Sequence, residues 1–288
     1  MRLQLVVNPV AGGGRATKIL PTVQRALAEQ DVLVTPTTSL NHADELAAAA
    51  VADDRVVVAM GGDGLVGRVA GTVADRGGLM AVVPGGRGND FARMVGIPRD
   101  PVEACSVVLD GVEQRVDVGE VDGRVFVGIA SVGFDSEVQE RVLRTKVPLG
   151  QAVYLYGALA TVRAWRPARF SCVVEDTDVG VTGWSIVVAN SGLYGGGMRI
   201  APNASLTDGA LDVVTIRECP RRHFLRVLPR VFKGSHVSDP IVAVHRATSV
   251  KLDADRPFRV FADGDPIGSL PCTVSVSPAA LRLIVPRT

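Results

Sequence analysis

Asp63 is the one charged side chain in the turn of VVVAMGGDGLVGRVAG (Val56–Gly71), where Gly61, Gly62 and Gly64 surround it. An apolar strand-like run precedes the turn and a helix-like run follows it. The stretch satisfies G-x-G-x-x-G through Gly62, Gly64 and Gly67, which raises a dinucleotide fingerprint. That fingerprint needs an acidic residue about twenty positions on, at the end of the next strand. Here the strand LMAVV ends in Pro84-Gly85-Gly86-Arg87 with no carboxylate. A P-loop is excluded because the chain has no Gly-Lys dipeptide. A carboxylate in a bare glycine turn suits a metal-bound phosphate. The glycines let backbone N–H groups approach phosphate oxygens, and the carboxylate holds Mg²⁺ directly or through water.

Two more loops have the same form. NPVAGGGRA (Asn8–Ala16) and PGGRGNDFAR (Pro84–Arg93) each follow a strand-like run and lead into a helix-like one. Strands are expected at RLQLVVNP, DVLVTPTT, RVVVAM and LMAVVPGG, with helices between them, Pro21 marking a boundary or kink in the first. Such alternation predicts an α/β domain with a parallel sheet, and all three glycine loops then lie at the C-terminal strand edge where these folds bind ligands. Past residue 110 the texture becomes short Val-rich strands punctuated by Gly and Asp, which predicts an antiparallel β-sandwich or barrel. The expected division is residues 1–115 and 116–288, the C-terminal segment being free to return to the first domain.

Composition narrows the partners. Lys and Arg number 31 against 30 Asp and Glu, a net charge of +1, which argues against a nucleic-acid sheath. The four cysteines are scattered without C-x-x-C spacing, and the four histidines lack metal-ligand spacing. The N-terminus lacks a signal-peptide pattern, and no apolar run approaches the roughly 18–20 residues of a membrane span. A cytoplasmic protein is expected, with peripheral attachment at the inner membrane face as an option.

In order along nearly the whole chain, Asn8-Pro9 with Gly12–Gly14, Thr38, Gly61-Gly62-Asp63-Gly64, Pro84-Gly85-Gly86, Gly88–Arg93, Asp117, Gly133-Phe134-Asp135, NSGLYGGGMRIAPNASLTDGALDVV and Asp263-Gly264-Asp265 resemble the diacylglycerol kinase catalytic-domain family. The resemblance implies an α/β nucleotide domain followed by a β-sandwich lipid domain, with ATP and Mg²⁺ as cofactors. It implies nucleotide binding by Asn8, Pro9, Ala11, Gly12, Gly13, Gly14, Thr38, Gly61, Gly62, Asp63, Gly64, Gly86, Arg87 and Asn89. Asp63, Asp90 and Asp117 would form a water-linked Mg²⁺ network, and Asp208 would hold a structural metal with Ser205 and Ala210. Asp265 would be the general base of a catalytic set that also includes Asp263. The implied reaction is transfer of the ATP γ-phosphate to the hydroxyl of diacylglycerol or a related lipid alcohol. The expected partners are a lipid at a membrane surface and no nucleic acid, with a homodimer left open.

Four positions depart from the family pattern: Leu65 replaces Thr, Gly67-Arg68 replaces Asn-Glu, Arg87 replaces Thr, and Asp265 replaces Glu. Arg68 and Arg87 could clamp phosphates; alternatively the site has decayed to binding alone, and a soluble-substrate kinase like NAD kinase is a third reading. Retention of Asp63, Asp90, Asp117 and Asp265 favours catalysis. RVLRTKVPLGQAVYLYGALATVRAWRP and RRHFLRVLPRVFKGSH mix basic and apolar residues. Each is either a membrane-surface element or an amphipathic helix packed on the sandwich.

Overall fold

The computed structural model describes residues 1–145 and 152–287, with the side chains of 152–155 left aside. The first unit runs β1 (Arg2–Val7), α1 (Ala11–Ala26), β2 (Asp31–Pro36), α2 (Leu40–Ala52), β3 (Val56–Gly61), α3 (Asp63–Asp75), β4 (Leu79–Pro84), α4 (Asp90–Met94) and α5 (Pro101–Asp110). All neighbouring strands pair parallel in the order β4-β3-β1-β2. β1, β3 and β4 are apolar and buried almost end to end, as strands covered on both faces by helices must be. The three glycine loops therefore leave adjacent parallel strands at the same edge.

Antiparallel strands dominate the second unit: β5 (Val112–Val121), β6 (Arg124–Phe126), β7 (Ile129–Gly133), β8 (Ala168–Val174), β9 (Thr177–Asp178), β10 (Val181–Ala189), β11 (Leu193–Tyr194), β12 (Met198–Arg199), β13 (Leu211–Arg217), β14 (Val242–Ala247), β15 (Ser249–Ala254), β16 (Arg259–Ala262), β17 (Asp265–Ser269) and β18 (Cys272–Val285). Helices α6 (Phe134–Arg144) and α7 (Ala152–Ala164) sit between β7 and β8; α8 (Arg221–Val227) and the 3-10 turn Leu228–Lys233 lie between β13 and β14. Phe134 meets Trp165, Trp184 and Phe224 edge-on in this unit's core, which is separate from the core of the first unit.

β18 joins the two units. Its first half pairs antiparallel with β15, and Arg282 and Leu283 then run parallel to Leu79 and Met80 of β4. Leu281, Leu283, Ile284 and Val285 consequently lie in the core of the first unit. Among the described residues, no helix is long and apolar enough to cross a membrane.

Candidate active site

The glycine loops are tied together where they leave the sheet. Gly85 and Gly86 both donate N–H bonds to the Gly61 carbonyl, at 2.8 and 2.9 Å. A Cβ on Gly86 would stand 2.4 Å from the Gly62 Cα, so the two loops touch through bare backbone. Asn89, in the left-handed region at φ 53°, holds Gly86 from both sides: its Oδ1 accepts from Gly86 N–H and its Nδ2 donates to Gly86 C=O. The buried Asn89 amide is thus a brace of the loop. Gly12, Gly13 and Gly14 all have positive φ, and the regular part of α1 begins only after them. The N–H groups of Gly13 and Gly14 turn back onto the Val10 carbonyl, so a phosphate gripping this loop displaces those two bonds.

At the front edge, Asn8 Oδ1 accepts from Val10 N–H, the Pro9 carbonyl accepts the Thr17 hydroxyl, and Ala11 is buried. Thr38 contacts His42 Nδ1 through both its hydroxyl (3.1 Å) and its N–H (3.2 Å). The Arg87 guanidinium reaches over Gly13: a Cβ there would lie 3.3 Å from Arg87 Nη2. Arg68 does not join it. That guanidinium is ion-paired with Asp44 of α2 and reaches Asn41, which corrects the expectation of a second phosphate clamp.

The acids converge on the start of α3. No side chain caps this helix, because its N-cap is Gly62, and Asp63 opens its first turn. The first-turn N–H groups and helix dipole make this end an anion site. Asp63 Oδ1 accepts from Phe91 N–H at 3.2 Å, and Asp90 Oδ2 accepts from Gly196 N–H at 2.7 Å. A Cβ on Gly88 would meet Asp63 Oδ2 at 3.0 Å and Asp90 Oδ2 at 3.2 Å, so the two carboxylates flank that glycine. Burial raises the Asp63 carboxyl above its ordinary range, and the charge of Asp90 adds to the effect.

Glycine has a further reason at Gly64 and Gly67. A Cβ on Gly64 would stand 2.6 Å from Asp265 Oδ2, and one on Gly67 would stand 2.8 Å from Asp263 Oδ2. The C-terminal Asp-Gly-Asp turn is therefore seated directly on the first turns of α3. Gly64→Ala is expected to push the Asp265 carboxylate away and reduce phosphoryl transfer about a hundredfold, the scale of an ångström misplacement. Steady-state kinetics checks this, with unchanged circular dichroism as the control.

Asp263 occupies its place differently from Asp265. Its carboxylate accepts from the N–H groups of Val127 (2.8 Å), Gly128 (2.9 Å) and Ile129 (3.2 Å). Burial pushes it up to about 7 and the Asp63 charge acts the same way, against the lowering by those N–H groups. Saturated by backbone donors, Asp263 is a positioning residue. Asp265 is raised by burial and lowered by Arg68, and no described side chain or N–H bonds its carboxylate.

Asp117 and the Asp208 loop form a different feature. Asp117 Oδ2 accepts from Gly209 N–H and its Oδ1 from Ala279 N–H, both at 2.7 Å. It braces the 205–210 turn against β18, and no direct contact joins it to Asp63 or Asp90 among the described residues. Asp208 Oδ1 accepts from Ala210 N–H, its Oδ2 pairs with Arg246, and the Ser205 hydroxyl bonds Thr207. No cluster of three or more metal-ligating side chains occurs among the described residues. The carboxylate of the 205–210 turn, Asp208, is thus ion-paired at the surface with Arg246.

Asp63 and Asp90 fit a metal ion. Mg²⁺ is commonly held by one or two carboxylates plus substrate phosphates and water. Asp90 Oδ1 is buried without a hydrogen-bond partner, an acceptor left for a ligand between the loops. Two contributions were not assigned from sequence. Gly196, in the loop Gly195–Gly197 with positive φ throughout, brings the second unit onto Asp90. Asn190 Nδ2 bonds the carbonyls of Asp117 and Val127, linking the brace to the segment whose N–H groups hold the Asp263 carboxylate. The run of three glycines was the available signal for the first; nothing local marks the second.

Residues 2–121 match the diacylglycerol kinase catalytic domain, and residues 128–285 match the YegS C-terminal NAD kinase beta sandwich-like domain. The chain belongs to the diacylglycerol kinase catalytic-domain family, and is a kinase, a phosphotransferase with an alcohol acceptor. A diacylglycerol kinase of Mycobacterium tuberculosis (strain ATCC 25618 / H37Rv) is 33% identical, covering 99% of this chain and 96% of that protein. One of Bacillus subtilis (strain 168) is 28% identical, covering 94% and 91%. The fold is shared with a crystal structure of a diacylglycerol kinase from Bacillus anthracis str. Sterne, at TM-score 0.75 and 20% identity over 99% of this chain and 96% of that one.

Proposed function

We propose that the protein transfers the γ-phosphate of ATP to the hydroxyl of diacylglycerol or a closely related long-chain lipid alcohol. The observation that carries this reading is the meeting of Asp63, Asp90 and Asp265 at the uncapped start of α3, beside three joined glycine loops. The loops and the helix N-terminus hold the triphosphate, with Arg87 adding a guanidinium at the Gly13 side. Asp63 and Asp90 hold Mg²⁺, which when bound offsets charge on the transferring phosphoryl group. Asp265 takes the proton of the lipid hydroxyl as its oxygen attacks. Asp263 keeps Asp265 in place through the three N–H groups it gathers.

A long-chain acceptor is favoured by the relatives, which are diacylglycerol kinases. A small cavity of about 20 Å³ beneath α8 is lined by Phe134, Ile200, Phe224, Val227 and Val231, with Asp135 and Tyr194 among them. The Tyr194 hydroxyl donates to Asp135, whose carboxyl burial raises. Tyr194 directly precedes the glycine loop that touches Asp90. With labelled Mg·ATP and a choice of diacylglycerol in mixed micelles or NAD, label is expected in the lipid; label in NAD would overturn the acceptor assignment.

Asp265 must be ionised to accept a proton, so the rate rises with pH through its pKa. That acid limb is expected above the ordinary Asp value because burial raises the group. Arg68→Ala removes an opposing influence and should shift the limb to still higher pH. A pH–rate profile of the two proteins tests this, and coincident profiles contradict it.

A further inference from the structure

Cys219 to Ser238 contains five arginines and lysines and no acid, although the whole chain is almost neutral at +1. α8 passes into the 3-10 turn Leu228–Lys233 through Leu228, whose backbone is right-handed helical at φ −51° and ψ −46°. One side of this element faces inward: Phe224, Val227 and Val231 are buried, Phe224 and Val231 in the core of the second unit. The other side is exposed and carries Arg222, Leu225, Arg226, Pro229, Phe232 and Lys233 at helical spacing. Phe232 is 58% exposed and Leu225 is 41% exposed. Arg222, Arg226 and Lys233 make no side-chain hydrogen bond or ion pair with other described residues.

The nearby acids leave this charge uncompensated. Asp239 is buried and already paired with Arg230 and His223, and Glu218 lies outside the run at its start. Arg221 donates to the Trp165 carbonyl at 3.1 Å, placing the start of α8 against the end of α7, where Arg163 and Arg166 are also exposed. Lys146, in the other segment of this type, lies outside the described residues, as do the side chains of Tyr154 and Leu155.

We propose that the outer face of residues 221–233 docks on the surface of an anionic phospholipid bilayer. The cations meet the headgroups while Leu225 and Phe232 enter the acyl boundary. A bilayer fits better than a nucleic acid or an acidic protein because exposed apolar side chains alternate with the cations along one stripe. The proposal rests on the lipid-kinase reading for the use of such docking: it would bring the second unit onto the surface where the acceptor resides.

The test is sedimentation of the full chain with vesicles of phosphatidylcholine alone or mixed with phosphatidylglycerol, for wild type, Arg222→Glu/Arg226→Glu/Lys233→Glu and Phe232→Ser. Each basic residue at an anionic surface contributes about fivefold to binding, so loss of three predicts a drop on the order of a hundredfold, and more with reversed sign. Phe232→Ser should weaken binding with the charge intact, and a normal melting curve for each variant excludes misfolding. Wild type that ignores anionic vesicles, or variants that bind as wild type does, would overturn the proposal. So would equal binding to both vesicle types, or duplex DNA competing all the vesicles away. Lipid phosphorylation is measured separately: residue-dependent vesicle binding without lipid phosphorylation keeps the docking face and removes the kinase reading's acceptor.

Discussion

Asp63→Asn lowers phosphoryl transfer by at least about a thousandfold while the chain remains folded, because the loss falls on charge stabilisation at the transferring group. Asn keeps an oxygen for the Phe91 N–H and removes only the charge. The stability consequence has a definite sign. The folded pKa of Asp63 is raised, so the folded state binds that proton more tightly than the unfolded chain, and its contribution declines as pH rises through the folded value. At neutral pH the buried charge beside Asp90 is unfavourable. The variant should therefore melt at the same temperature as wild type or higher when no nucleotide is present. Calorimetry paired with a transfer assay separates a functional carboxylate from a structural one: a lower melting temperature with little loss of transfer would reverse the assignment.

Asp265→Asn is the second large effect. A general base contributes about 10²–10⁴-fold, and the fall should appear in kcat with the KM for ATP nearly unchanged. Asp265 is seated over Gly64 and has no bond to the glycine loops, so its amide variant leaves the nucleotide cradle intact. Equal losses of ATP binding and turnover would argue that Asp265 shapes the cradle. The shorter Asp side chain is compatible with this placement because the turn that carries it rests directly on α3, held there by Asp263.

Residue patterns that act locally were readable in the sequence, and those that close over long separations were not. Strand–helix alternation gave the α/β unit, and three glycine loops after three strands placed the site at one sheet edge, which the β4-β3-β1 neighbourhood reproduces. The solitary Asp63 among glycines has a concrete explanation: Gly64 and Gly67 are bare because Asp265 and Asp263 occupy the space a side chain would fill. The partner of Arg68 could not be read, since Asp44 is distant in sequence and reaches it only through packing of α2 on α3. The donors of Asp117 could not be read either, since the turn at Gly209 and the bulged strand at Ala279 reach it over long separations. Nor could the pairing of Asp208 with an arginine from β14. The sequence allowed the C-terminal segment to return to the first domain but could not require it, since strand periodicity carries no information on which sheet receives the second half of β18.

The most direct test of the central claim is transfer of labelled γ-phosphate from Mg·ATP to a total lipid extract in mixed micelles, by wild type and Asp63→Asn in parallel. The account predicts one labelled lipid class with wild type, identified by mass spectrometry as the phosphate ester of a long-chain alcohol, and almost none with the variant. Measurable ATP binding by wild type without any labelled lipid would contradict it.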